Sequence, residues 1–210
     1  MSSGTIEKAL ISYGDYNIYQ SDIKQLCDEY INSLDFPEMV YKTPGFSGLL
    51  DYIYKHSLCD IIEYAKKNSG VQNNGHDYKL LDNIFYNIYI PLCYKYGLTP
   101  TIQQFSALCK MHNSFLGDVK SGVYSNGTKV NPKNSETVKN WYNTCESALF
   151  SRAVDSNSIG AIFGLKACYQ YSDQQVQQVQ ITTSQTLETP EQIAERHKNA
   201  ALPEKPILED

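Results

Sequence analysis

The chain has 210 residues and a mass of 23.8 kDa, enough for one good core or for two small domains and a linker. With 41% hydrophobic and 20% charged residues and a mean hydropathy of -0.42, its composition excludes wholesale disorder, a collagen-like repeat and a membrane bundle. Its apolar runs are a few residues long, too short to span a bilayer.

The net charge of -5 is uneven. Residues 1–97 carry eight Lys/Arg and twelve Asp/Glu, residues 98–170 carry seven and four, and residues 171–210 carry three and seven. Only the middle is basic, so a nucleic-acid contact is expected there. The excess is small, and tight DNA binding would need several copies acting together.

The N-terminus lacks the basic and apolar regions of a signal peptide, and six cysteines are scattered singly at 27, 59, 93, 109, 145 and 168. Both point to reduced thiols and a cytoplasmic setting. Ser21 is placed as the cap of a first helix carrying Ile23, Leu26, Cys27, Tyr30 and Ile31, broken at Asp35-Phe36-Pro37. A second helix starts near Pro44 or Ser47, with Leu49, Leu50, Ile53, Tyr54, Ile61, Ile62 and Ala65 on one face, and stops at Asn68-Ser69-Gly70. A polar loop covers 68–77. From 78 to 96 the apolar residues Leu80, Leu81, Ile84, Phe85, Ile88, Tyr89 and Leu92 share a face, with Pro91 kinking the helix and Gly97 ending it.

Thr101 and Gln104 form a capping-box pattern that opens a short helix to about Lys110. A second short helix covers 113–120. Residues 121–134 form a loop or a small hairpin around Asn126-Gly127. A long helix over 135–154 buries Val138, Trp141, Tyr142, Cys145, Ala148 and Leu149. Another, over 158–169, turns Ile159, Ile162, Phe163 and Leu165 inward. Residues 174–185 alternate like a strand through Val179, Ile181 and Thr183; a single strand has two unpaired edges, so the segment is either disordered or pairs with copies of itself in an oligomer. Thr189-Pro190-Glu191-Gln192 then starts a short helix before an acidic tail.

The stretch 102–121 fits a helix-turn-helix. Counting Ile102 as one, the places that such packing buries hold Phe105, Cys109, Met111, Leu116 and Val119, and the fifth, which wants a small residue, holds Ser106. The ninth, where glycine is usual, holds Lys110. The second helix would enter the major groove, with His112, Asn113 and Ser114 at base edges or phosphates and Lys110, Lys120 and Lys129 as cationic contacts. Asp118 would repel a phosphate. A plain helical hairpin in an all-α core would show the same periodicity.

The helix-turn-helix pattern, the long helix, the phrase Ser158-Ile159-Gly160-Ala161-Ile162-Phe163-Gly164-Leu165-Lys166-Ala167 and the following Tyr169-Gln170-Tyr171-Ser172-Asp173 together resemble the small terminase subunits of tailed bacteriophages. The likeness covers roughly 98–200 and departs at Gln170, where the family phrase usually has glycine. It implies a mainly α fold: a helical bundle with a helix-turn-helix unit, a long helical hairpin for oligomerisation and a C-terminal β-strand segment. On this resemblance the chain is expected to divide into an N-terminal helical region of unassigned role (1–77), a helix-turn-helix DNA-binding region (78–134), a helical oligomerisation region (135–173) and a partner-binding strand and tail (174–210).

The resemblance further implies a non-enzymatic subunit without cofactor. It would bind double-stranded viral DNA at the packaging start, assemble as a ring through Trp141, Tyr142, Leu149, Ile162, Phe163, Val179 and Ile181, and hand the DNA to the large terminase subunit, which carries the ATPase and nuclease. Two other readings stay open: a helix-turn-helix regulator of a phage or mobile element, and a helical adaptor with no DNA role. No phosphate-binding loop, dinucleotide turn or nucleophile elbow is present. The pairs His56/Cys59 and Cys109/His112 have metal-like spacing, but Cys109 belongs to the apolar face and no zinc is expected.

Overall fold

Gly14 and Asp15 close a two-residue turn, with Gly14 at φ +57, a conformation that costs glycine nothing. The turn pairs β1 (Ile11–Tyr13) with β2 (Tyr16–Ile18) in antiparallel register, Ile11 opposite Ile18, and both of these isoleucines are buried. The computed structural model describes residues 8–69, 76–156 and 158–171. This hairpin was not expected from the sequence. The strand and the short helix expected after 173, with Val179 and Ile181, lie outside the described residues.

Apart from an isolated bridge between Val123 and Lys129, the other described elements are helical. α1 (Gln20–Asn32) is entered from Tyr19, not capped by Ser21, and Asp22 accepts the Tyr19 backbone N–H at 2.9 Å. A 3-10 turn (Pro37–Tyr41) leads into α2 (Thr43–Ile53). Gly45 lets the two meet: a Cβ there would fall 2.1 Å from the Met39 carbonyl oxygen. The second expected helix is two, α2 and α3 (Cys59–Asn68), joined by a π-helical turn (Tyr54–Leu58). The third divides likewise into α4 (Tyr78–Ile84), a π-helical turn (Phe85–Tyr89) and α5 (Ile90–Lys95). Pro91 has no N–H to offer the carbonyl four residues back, and the wider turn before it makes room for its ring. Gly97, at φ +65, ends α5 as expected.

α6 (Ile102–Leu108), α7 (Asn113–Ser121), α8 (Pro132–Asp155) and α9 (Ile159–Tyr169) follow and are the last elements of the described residues. One hydrophobic core runs from Ile11 to Cys145, across the boundaries drawn at 77 and 134. Its centre is aromatic. The Phe85 ring lies 4.8 Å from that of Phe105 and 5.7 Å from that of Trp141, so the π-helical turn after α4 converges with α6 and α8. Trp141 is fully buried and donates its indole N–H to Asp82 at 2.8 Å. It is spent inside the chain, which corrects its assignment to a subunit contact.

Asp77 ties the hairpin to the bundle. One carboxylate oxygen caps α4 through the N–H groups of Lys79 and Leu80, and the other accepts the Tyr13 hydroxyl at 2.6 Å. Burial, reinforced by that carboxylate, pushes the Tyr13 hydroxyl up to about 12. The compact unit runs to Leu165. Within it, α9 buries Ala161 and Leu165, while Ile159 and Phe163 are 84% and 70% exposed. The inward face expected for Ile159 and Phe163 is corrected accordingly.

Candidate nucleic-acid interface

Three residues fix the start of α6. Thr101 caps it, its hydroxyl accepting the Gln104 N–H at 3.2 Å. Gln104 does not reach back to the Thr101 backbone N–H as a capping box would. That N–H donates instead to the hydroxyl of Tyr89 at 2.7 Å, which in turn donates to the Thr101 carbonyl at 2.8 Å. Tyr89 is fully buried, and burial holds its hydroxyl well above the usual tyrosine range.

All the places expected to be buried between α6 and α7 are: Phe105, Cys109, Leu116 and Val119 completely, Ser106 at 2% exposure and Met111 at 8%. The turn between them is tight. The Met111 N–H reaches the Ser106 carbonyl at 2.8 Å and the Lys110 N–H reaches Ala107 at 3.2 Å. Closing this turn places Lys110 at φ +52, the left-handed region where glycine is at ease and other residues carry a cost of about 1 kcal/mol. Lysine thus sits at the ninth place in the conformation that glycine usually supplies.

His112 caps α7: its Nδ1 accepts the Ser114 backbone N–H at 3.3 Å and lies 2.6 Å from the Ser114 hydroxyl. Both side chains are exposed at the helix start, and Asn113 is the first helical residue. After Gly122 (φ +85) the chain makes a small hairpin: Val123 pairs with Lys129, the Tyr124 N–H reaches the Thr128 carbonyl at 2.9 Å, and Gly127 turns at φ +81. Tyr124 stacks on Phe115 of α7 at 5.9 Å, and His76 covers the same ring at 4.7 Å. Asp118 accepts the Ser125 N–H at 3.0 Å, so its carboxylate holds the hairpin.

The expected cations differ in their freedom. Lys110 reaches Asp51 of α2 at 2.6 Å and lies over the Tyr54 ring at 5.0 Å. Asp51 also holds Lys55 at 2.6 Å, and the two ammonium groups keep its carboxyl below the usual range. Lys120 lies 4.2 Å from the centre of the Tyr142 ring, which half-buries that tyrosine. Lys129 is exposed in the hairpin. Leu149 is half-buried, and a Cβ at Gly164 would fall 3.2 Å from it, so Leu149 serves the packing of α8 on α9. Ile162 is half-buried and Phe163 is open.

The residues that hold this arrangement and were not anticipated are Asp51, Asp82 and Tyr89. Their partners lie 59, 59 and 12 residues away, and no local pattern signals them. Among the described residues no three His, Cys, Asp or Glu side chains gather as a metal site would require. Burial pushes the Cys109 thiol far above its ordinary value and those of Cys93 and Cys145 up to about 12, leaving them protonated. Among the described residues no helix is long and apolar enough to cross a membrane. No protein-family model, curated protein or solved structure matches the chain.

Proposed function

We propose that this chain is a DNA-binding, non-enzymatic subunit of a phage genome-packaging machine, similar to small terminase subunits, with α6 and α7 as a helix-turn-helix and the 122–130 hairpin beside it. The observation that carries the reading is the register of 102–119. Each place such a unit buries is buried, and the ninth residue is left-handed although it is lysine. His112 and Ser114 stand exposed at the start of α7, where a recognition helix meets base edges, and Lys129 stands exposed in the hairpin. Asn113 belongs to the same helix start. The chain acts in the cytoplasm of the infected cell, assembles in several copies and passes double-stranded DNA to the large, ATP-hydrolysing subunit.

The test is selection of DNA from a random double-stranded pool by the full chain at low salt, with solution mass measured in parallel. Enrichment of a sequence by an oligomer, abolished in Ser114→Glu and weakened with a reduced salt slope in Lys129→Glu, supports the reading. No retention of DNA by a folded monomer overturns it.

A helical adaptor without DNA is the second reading. It is favoured by the internal engagement of Lys110 and Lys120, which takes two of the three expected cationic contacts into the fold. Oligomerisation without DNA retention would select it. A dimer that enriches a palindromic site would select a regulator instead.

A further inference from the structure

A cleft of about 700 Å³ opens between α1 and the π-helical turn that leads into α5, away from α6, α7 and the hairpin. Its floor is apolar and closed: Ile23, Cys27, Ile88 and Leu92 are each at most 6% exposed. Pro91 and Tyr86 stand exposed along one wall, and Leu10, just before β1, lies on the other. Asn87 bridges the walls, its side-chain amide donating to the Leu10 carbonyl at 3.2 Å.

Among the described residues the lining contains two cations, Lys24 and Lys95, and no carboxylate. Both lysines are exposed, and neither has a carboxylate partner among the described residues. Asp22, on the same helix as Lys24, is turned to the Tyr19 N–H. Burial raises the Cys27 thiol and the nearby Asp28 adds to it, but Asp28 is not among the described lining residues. Two carboxamides, Gln20 and Asn87, sit among the apolar groups. Each carboxamide offers one donor group and one acceptor, the complement of a peptide unit. A bare acyl chain would pair neither the Gln20 carboxamide nor the Asn87 carbonyl oxygen, which the bond to Leu10 does not use.

We propose that this cleft docks an acidic, amphipathic peptide segment of a partner protein. Its apolar side chains lie against Pro91, Tyr86 and Leu10, its carboxylates reach Lys24 and Lys95, and its backbone meets Gln20 and Asn87. The charges select acidic over basic segments. The widened turn over Phe85–Tyr89 shapes one wall, as π-helical turns do at other binding sites. The proposal is independent of DNA binding, since it uses no residue of α6, α7 or the hairpin.

The probe is a fluorescein-labelled nine-residue peptide with leucine at its third, sixth and seventh positions and glutamate elsewhere, titrated into the full chain and followed by anisotropy. Binding with Kd on the order of 10–100 µM is expected at low salt. It should weaken about tenfold in Lys24→Glu and in Lys95→Glu, and stay unchanged in Lys79→Glu, an exposed lysine outside the cleft. Methyl resonances of Ile23, Ile88 and Leu92 should shift on binding. The proposal is overturned by no binding at about 1 mM peptide, by equal binding of the same peptide with lysines for glutamates, or by Lys79→Glu weakening binding as much as Lys24→Glu. Displacement by lauric acid with no peptide selectivity would likewise overturn it in favour of a lipid pocket. The substitutions are all at exposed positions, so circular dichroism separates a lost contact from a lost fold.

Discussion

The two halves of α8 do different work. Up to Cys145 it turns Ser135, Val138, Trp141 and Cys145 into the core, and its indole, rings and thiol complete the interior begun by α4 and α6. Beyond Cys145 it buries only Ala153 among its described residues, and with α9 it leaves Phe150, Val154, Ile159 and Phe163 at 37%, 53%, 84% and 70% exposure. The same helix thus closes one core and opens an apolar face. Helical periodicity locates apolar residues, while the neighbours decide which of them are covered.

The largest effect is expected on the closed side. Trp141→Ala removes the largest buried side chain and strands Asp82, and should cost about 3–5 kcal/mol in denaturant unfolding. If it costs under about 1 kcal/mol, the first half of α8 does not close the core. Asp77→Ala loses the cap of α4 and the Tyr13 tie together and should cost about 1–2 kcal/mol. A smaller effect is expected at the far end, where Gln170 sits at φ +61. Gln170→Gly relieves a left-handed cost of about 1 kcal/mol, offset in part by the greater freedom glycine gives the unfolded chain, so a net gain under about 1 kcal/mol is expected; a loss there would mean that the glutamine side chain outweighs the backbone cost.

His76 sharpens the closed side by pH. Burial, then the nearby Lys66, hold its imidazole below the ordinary 6.5, so the folded state keeps it neutral. Its contribution is full above that value and is lost as pH falls toward the depressed folded value, because the unfolded chain takes up the proton first. Unfolding free energy should therefore drop between about pH 7 and pH 5, and His76→Gln should flatten that slope. On the open side, Phe163→Ser together with Val154→Ser should leave monomer stability within about 0.5 kcal/mol while lowering the solution mass of any assembly. An unchanged mass would remove that face from the oligomer contact.

How much of the molecule is legible in its sequence depends on range. The burial register of 102–119 is readable because it is local: packing two short helices across one turn fixes the offsets. The asparagine-glycine hairpin at 122–130 is hinted by its turn residues. The hairpin of residues 11–18 escapes because three-residue strands show no usable alternation. The π-helical turns escape because an inserted residue leaves the apolar face nearly continuous while dividing the helix. Composition alone turns Ile159 and Phe163 inward, but Ala161 and Leu165 take the buried places beside Leu149. The candidate interface is legible in position and not in charge, since Asp51 lies far from Lys110 in sequence. Asp118 reads as a repulsive neighbour in the sequence and is a hairpin anchor in the fold.

The tie between Lys110 and Asp51, with Tyr89 gripping Thr101, bears on how α6 and α7 could travel between proteins. A left-handed lysine is steadied by a helix from the first third of the chain, and the entry to α6 is clasped by a tyrosine from the middle. Cut out at its own ends, the pair would leave its braces behind. It is therefore a poor unit for grafting or for swapping between scaffolds, and a lineage that reshaped residues 43–96 would have to re-tune the angle of α7 at the same time.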